Sequence, residues 1–294
     1  MNKTETILLS VCVRTHNQKR FIGEALDSVL RQHTTFPFEI IVSDDASTDG
    51  TVAILQEYRK QYPQIRLLLQ ETNIGGPENL KRVIEASNAK YITCLDGDDF
   101  YTDEYKLQKQ VDFLETHLEY AACFHNTWYA DENGHLKGLF NRPDFHAIHD
   151  AREFIRERWF VPIHSAMLRR GYIEFPEWYS TVMNDDYVVH LSVARHAPYY
   201  YMPDVMVAYR RHTQNTSIAY RDKILTDMQL CTILEGMKPL YPEEYTVDFD
   251  ARIAEYRKEI ADIQLLQRQP WRKWLSRKTY TRPIKQWLRG MVNR

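Results

Sequence analysis

Tyr91-Ile-Thr-Cys-Leu-Asp-Gly-Asp-Asp99 runs from an apolar stretch straight into an acidic turn. A short run of branched and apolar residues bounded by turn formers suits a strand buried on both faces. Upstream, residues 65–69, 38–42 and 7–13 read as strands of the same kind. Helical patterns separate them. Residues 20–32 place Phe21, Ile22, Ala25, Leu26, Val29 and Leu30 at helical spacing. Ser47, Thr48 and Asp49 offer N-caps for a helix to about Tyr62, where Pro63 stops it, and residues 77–86 supply a third helix. The order β-α-β-α-β-α-β predicts an α/β fold, a Rossmann-like, mainly parallel sheet flanked by helices, whose ligand crevice lies outside the carboxyl ends of the strands.

Three polar clusters fall at those ends: Arg14-Thr15-His16-Asn17, Ser43-Asp44-Asp45-Ala46-Ser47 and Asp96-Gly97-Asp98-Asp99. Past Tyr101 the pattern loosens into a helix at 104–117, a strand at 121–125, an irregular stretch over 126–150 and a helix at 151–159. From Arg221 the pattern is helical, divided by Pro239, Pro242, Pro270 and Pro283. This divides the chain into residues 1–100 and 101–220, two halves of one domain, and a C-terminal helical extension over 221–294.

The 294 residues, 44% of them hydrophobic, are enough for one large core. No apolar run near the start reaches the ~18 residues of a membrane span, and no small-residue cleavage site follows it. Cys12, Cys94, Cys123 and Cys231 form no C-x-x-C pair, which points to a reducing, cytoplasmic setting rather than a disulfide or zinc framework. Charge is uneven. Of 38 basic residues nine follow Asp262, where no acidic residue occurs, leaving 29 against 40 acidic residues, or −11, for residues 1–262. Such an acidic body disfavours nucleic acid as a partner. The tail interleaves those cations with Trp271, Trp274, Trp287, Leu288 and Met291, a basic amphipathic pattern suited to an anionic membrane surface, such as the inner face of the plasma membrane, or to a terminal helix packed on the domain.

Asp96-Gly97-Asp98-Asp99 can turn its carboxylates toward one hard cation, Mn²⁺ or Mg²⁺, which would be shared with substrate phosphates; a solvated acidic turn is the plainer reading of the same residues. Asp44-Asp45 suits a turn or capping network, or hydrogen bonds to a base or ribose. Trp128, Trp159 and Trp178 suit core packing or stacking on a sugar ring. His125, His146, His149 and His164 show no clear ligand spacing.

Taken together, Leu9-Ser-Val-Cys-Val-Arg-Thr-His-Asn17, Phe38-Glu-Ile-Ile-Val-Ser-Asp-Asp-Ala-Ser-Thr-Asp-Gly-Thr51, Asn73-Ile-Gly75 with Asn79, and Tyr91 to Asp99 resemble the successive blocks of family 2 glycosyltransferases over about residues 7–220. The resemblance implies a GT-A fold and inverting transfer from a nucleotide-activated sugar, with residues 1–100 as the nucleotide-sugar-binding half and 101–220 as the acceptor-binding half of one GT-A domain. It implies that Thr15 and Asp45 contact the nucleobase and ribose, that Asp96 contacts the donor, and that Asp98 holds a metal at the diphosphate; Asn17, Asp44 and Asn79 belong to the same nucleotide-sugar blocks. Asn184-Asp185-Asp186-Tyr187 is similar to the family's acidic pair, whose second member is the catalytic base, with Asp185 as its neighbour. Tyr209-Arg-Arg-His212, followed by Asn215-Thr-Ser217, is similar to the block that brings His212 to metal or pyrophosphate. Adjacent residues of a helix cannot both aim at one acceptor, so one of Asp185 and Asp186 should be the base and the other a support.

Arg14 and His16 stand where the family more often has Pro and Tyr, and Pro77-Glu78-Asn79 lacks the usual basic residue. The Q-x-x-R-W signature of processive polymerases is absent, which favours transfer of a single sugar to a glycan or lipid-linked oligosaccharide. A nucleotidyltransferase would carry a Gly-rich phosphate loop, and residues 14–20 contain no glycine. An inactive nucleotide-sugar-binding module is the non-enzymatic rival, opposed by the intact Asp96, Asp98 and Asp186.

Overall fold

Strands β1 (Leu9–Thr15), β2 (Phe38–Asp44), β3 (Ile65–Leu69) and β4 (Tyr91–Asp96) pair in parallel in the order β3-β2-β1-β4, joined by helices α1 (Ile22–Leu30), α2 (Thr51–Gln61) and α3 (Gly76–Glu85). The computed structural model describes residues 7–142, 145–157, 160–213 and 222–268. Trp159, the Asn215-Thr-Ser217 triplet and the tail beyond Arg268 lie outside the described residues.

Alternation along β1 explains the two layers. Leu9, Val11 and Val13 point to a core shared with Ile22, Leu26 and Val29 of α1, whereas Cys12 points to the opposite core with Leu80, Val83 and Ile84 of α3. Each fully buried Val, Leu or Ile contributes roughly 1.5–3 kcal/mol relative to exposure, so both faces must be covered.

The chain continues through β5 (Phe100–Tyr101), α4 (Lys106–Thr116), β6 (Ala122–Ala130), β7 (Leu136–Leu139), β8 (Ile148–His149), α5 (Ala151–Arg156), β9 (Met167–Arg169), α6 (Asp185–Ala194), β10 (Tyr199–Arg210), α7 (Lys223–Met237) and α8 (Thr246–Arg268). Among the described residues these strands extend the sheet to β3-β2-β1-β4-β9-β6-β10-β5, with β7 on β6 and β8 on β10. β9 runs antiparallel to both β4 and β6, while β10 runs parallel to β6, so the second half of the sheet is mixed. The stretch expected to be irregular over 126–150 instead carries the rest of β6 and the strands β7 and β8.

Helices α7 and α8 pack on the core that contains α6: Leu230, Ile233, Leu234, Phe249 and Tyr256 are buried with Val188 and Leu191. Tyr241 Oη donates to Leu191 O at 2.6 Å. Among the described residues no helix is long and apolar enough to cross a membrane. The four cysteines are buried and unbridged.

Candidate active site

The acidic turn after β4 is shaped by Gly97. A Cβ at that position would lie 2.5 Å from Gln18 Oε1, 2.9 Å from Ile22 Cδ1 and 3.0 Å from Thr15 Cβ, so only glycine lets the turn sit against the β1–α1 loop. The turn is held from the far end of β10. Arg210 donates from its backbone N to Asp99 Oδ1 at 2.9 Å and from Nε to Asp98 O at 2.8 Å, and its guanidinium lies over Phe21 and Phe100. His212 places Nε2 at 2.8 Å from Asp98 Oδ2. His164 places Nδ1 at 2.9 Å from Asp99 Oδ2. Burial pushes the Asp99 carboxyl up to about 7 despite that imidazole.

Arg14, at the end of β1, joins this turn to the second acidic pair. Its Nε bonds Asp96 Oδ1 and its Nη1 lies 2.5 Å from Asp185 Oδ2. Burial alone would raise the Asp96 carboxyl, but the charge and hydrogen bonds of Arg14 hold it below the usual carboxylate range. Asp185, buried, also accepts from Asp186 N at 2.9 Å, so its carboxylate is committed to Arg14 and to the first turn of α6. Asp186 is half-buried. Burial first, then the charge of Asp185, pushes its carboxyl up to about 7, within range of a base working at neutral pH. The two neighbours thus differ in their surroundings: Asp185 is paired with Arg14, whereas Asp186 accepts from Tyr187 N at 2.9 Å and forms no ion pair among the described residues.

The remaining predicted residues line the β1 and β2 ends. Thr15 is buried and its Oγ1 makes no hydrogen bond. Asn17 adopts a positive φ of 53° and its Oδ1 accepts from Thr48 N at 2.8 Å. Asp44 builds the turn after β2, accepting from Ser47 N at 2.9 Å and Ser47 Oγ at 2.5 Å. Asp45 accepts from Ile74 N at 2.6 Å and Gly75 N at 3.0 Å, fixing the loop before α3, where Gly75 has a φ of 87°. Asn79 is 2% exposed and exchanges hydrogen bonds with Ser43, through Oδ1 at 2.5 Å and Nδ2 at 3.2 Å. It ties α3 to β2 beneath the site.

Asp96, Asp98 and Asp99 bring ligand atoms within 4.8 Å of one another, and His212 adds an imidazole beside Asp98. Hard carboxylate oxygens with one nitrogen suit Mn²⁺ or Mg²⁺, so these residues fit a divalent cation. Beside them a cleft of about 510 Å³ is lined by Asn17, Lys19, Arg20, Phe21, Asp49 and His212, among others. That volume is within the range of small-molecule sites.

Two parts of this arrangement were not legible as site residues. Arg14 was visible in a strand-end cluster and as a departure from a pattern, but its role as a bridge was not, because its two carboxylate partners lie 82 and 171 positions away. His164 has no local signature, yet it reaches Asp99, and His146 and His149 also meet an acidic partner, Glu153. Spacing along the chain gives no sign of these contacts, because sheet order and the β8–α5 junction bring the partners together. His125 is a core residue, with Nδ1 at 2.7 Å from Asn126 O. Trp178 packs on α7, where a Cβ at Gly236 would meet its ring at 2.5 Å, in keeping with core packing.

The model of the family described as "Glycosyl transferase family 2" matches residues 10–175. Uncharacterized protein Rv1520 of Mycobacterium tuberculosis (strain ATCC 25618 / H37Rv) is 36% identical over 220 residues, which are 73% of this chain and 62% of that protein. The chain thus spans about 62% of the length of such curated relatives. Among solved structures, S. aureus TarS 1-349 in complex with UDP-GlcNAc superposes with a TM-score of 0.66 at 20% identity, covering 85% of this chain and 71% of that one. The mannosyltransferase PcManGT from Pyrobaculum calidifontis, in complex with GDP-Man and Mn²⁺, gives 0.58 at 17% identity, covering 93% and 84%. At these identities the likeness establishes a shared fold, the GT-A type of mixed sheet flanked by helices.

Proposed function

The chain belongs to glycosyltransferase family 2, and we propose that it is a metal-dependent inverting transferase that moves one sugar from a UDP-linked donor to a glycan or lipid-linked oligosaccharide. The observation that carries this reading is the Arg14 bridge, which brings the Asp96 turn and the Asp185-Asp186 pair into one site. The UDP-GlcNAc bound to TarS supports a uridine nucleotide, and the Mn²⁺ in PcManGT supports a metal.

The nucleoside end of the donor lies along Thr15, Asn17 and the Asp44-Asp45 turn, and Asp96 faces the sugar. Asp98, with His212, would hold the cation, whose charge offsets that of the leaving diphosphate. The acceptor hydroxyl oxygen forms a bond to the anomeric carbon from the face opposite the diphosphate. The glycosidic C–O bond breaks with its electron pair going to the diphosphate, and the hydroxyl proton passes to an Asp186 carboxylate oxygen. Positioned general bases contribute ~10²- to 10⁴-fold in rate. Asp185 and Arg14 fix the start of α6 so that Asp186 faces the acceptor side.

A melting-shift screen of UDP, GDP and TDP sugars, with and without Mn²⁺, tests the donor. A ligand at ~100 times its dissociation constant adds ~2.7 kcal/mol of stability. A Mn²⁺-dependent shift with UDP sugars is expected, and a shift with no nucleotide sugar would overturn the reading. The basic tail, residues 268–294, is assigned to contact with an anionic membrane on its cytoplasmic side, where each Lys or Arg adds ~1 kcal/mol. Sedimentation with anionic vesicles should recover the full chain but not a version ending at Gln267, and equal recovery in the supernatant would remove this assignment.

A further inference from the structure

At the opposite end of β10 from the acidic turn, His146, His149 and Glu153 meet around the β8–α5 junction. His149 is paired with Tyr199 in the sheet, whereas His212 follows the other end of that strand. Eleven residue steps of roughly 3.3 Å separate the two ends, so this cluster is far from the candidate active site. We propose that His146, His149 and Glu153 form a separate zinc-class divalent-metal site that fastens β8 to α5.

The hydrogen bonds around His149 carry the argument. Its Nε2 lies 2.8 Å from the carbonyl oxygen of His146. A carbonyl only accepts, so Nε2 bears the proton and Nδ1 of the neutral ring presents a lone pair. That lone pair faces Glu153 Oε2 at 2.7 Å. Oε2 is sealed from solvent and accepts no hydrogen bond. Two acceptors at this separation repel unless a proton is added or both turn toward a shared cation. The ring of His149 is buried among Phe124, Phe145 and Phe160, with centroids at 5.3, 4.8 and 5.2 Å, an apolar seat that disfavours the imidazolium.

The other carboxylate oxygen, Oε1, lies 2.7 Å from His146 Nε2, and the three ligand atoms fall within 4.8 Å of one another. Two imidazoles and a carboxylate are a zinc donor set that leaves one position for water. The side chain of His146 is 62% exposed, so water has access to this donor set. The helix start is built for this placement. Asp150 accepts from Arg152 N at 2.9 Å and Glu153 N at 3.1 Å, setting the first turn of α5 so that Glu153 comes back over His149.

The test uses the full chain, stripped with EDTA and titrated with ZnCl₂ by calorimetry and with Co²⁺ by visible absorption. Asp98→Asn disables the other candidate metal site, and in that background one equivalent of Zn²⁺ should still bind, with a tetrahedral Co²⁺ band. His146→Ala, chosen because the residue is exposed, should weaken that binding at least tenfold while the circular dichroism is unchanged; even outer-shell partners are worth roughly 10- to 100-fold. Glu153→Gln should act in the same direction. Zn²⁺ binding to His146→Ala and Glu153→Gln with unaltered affinity, or no equivalent bound in the Asp98→Asn background, would overturn the proposal.

Discussion

Arg14 Nη1 lies 2.5 Å from Asp185 Oδ2, so a residue at the end of the first strand is bonded to the first turn of a helix 171 positions later. With Nε on Asp96, one guanidinium compensates two carboxylates that burial would otherwise penalise. Removing one partner of such a pair costs about 3–5 kcal/mol when it is fully buried. The Arg14 side chain is 21% exposed, so Arg14→Ala should cost about 3 kcal/mol in urea unfolding at pH 7. Arg14→Lys should lose less stability but still lower turnover, because a point charge cannot span both carboxylates. Unchanged stability in Arg14→Ala would mean that the bridge is not formed in solution.

Asp98→Asn should leave the melting temperature within a few degrees of the parent while removing the Mn²⁺-dependent part of UDP binding. Calorimetry with and without Mn²⁺ reads this directly. His212→Ala should weaken the same metal dependence less, since the carboxylate that it touches remains.

Gly97→Ala places a methyl group 2.5 Å from Gln18 Oε1 and 3.0 Å from Thr15 Cβ. Gln18 can swing away, but the β1 end cannot, so a loss of about 1–3 kcal/mol is expected, as for other overpacked sites. Because Thr15 is displaced as well, the dissociation constant for UDP should rise. A variant that melts and binds like the parent would show that the turn does not press on β1.

The first half of the fold was legible because each strand there is a short apolar run ended by turn residues, and Ile65–Leu69 matches its expected bounds. β10 was not. Pro203-Asp204 interrupts Tyr199–Arg210, and the strand accommodates it through register shifts against β6 between Met202 and Val205 and between Val205 and Val207. A bulge needs no ladder N–H from proline, so the strand continues past Pro203 as a bend. β9, with three residues, is too short for any period to show. Asp96, Asp98 and Asp99 were readable from strand-end position and Asp185 and Asp186 only through the family resemblance, whereas the partners of Arg14 and His164 are brought together by the sheet order.

Asp186 should also carry a stability cost. Its carboxyl titrates at about 7 in the folded chain, above the ordinary value of 3.8, so between those values the native state holds a proton that the unfolded state has lost. Stability from this group therefore falls as pH rises through that window, and the cost is complete above about pH 7. Asp186→Asn should unfold later than the parent at pH 8, by about 1 kcal/mol once solvent screening of a half-buried group is allowed for, and should show little gain at pH 4. Equal melting curves at pH 8 would contradict the raised titration.

The most direct test of the account is release of nucleoside diphosphate from the selected donor, in the presence of acceptor, followed against pH for the parent and for Asp186→Asn. The parent rate should fall about tenfold per pH unit below about 7, as the base takes up a proton. Asp186→Asn should bind donor with unchanged affinity, lose ~10²-fold or more in rate and lose that pH dependence. A variant that turns over like the parent, or one whose loss is matched or exceeded by Asp185→Asn with donor binding intact, would contradict the assignment of Asp186 as the base.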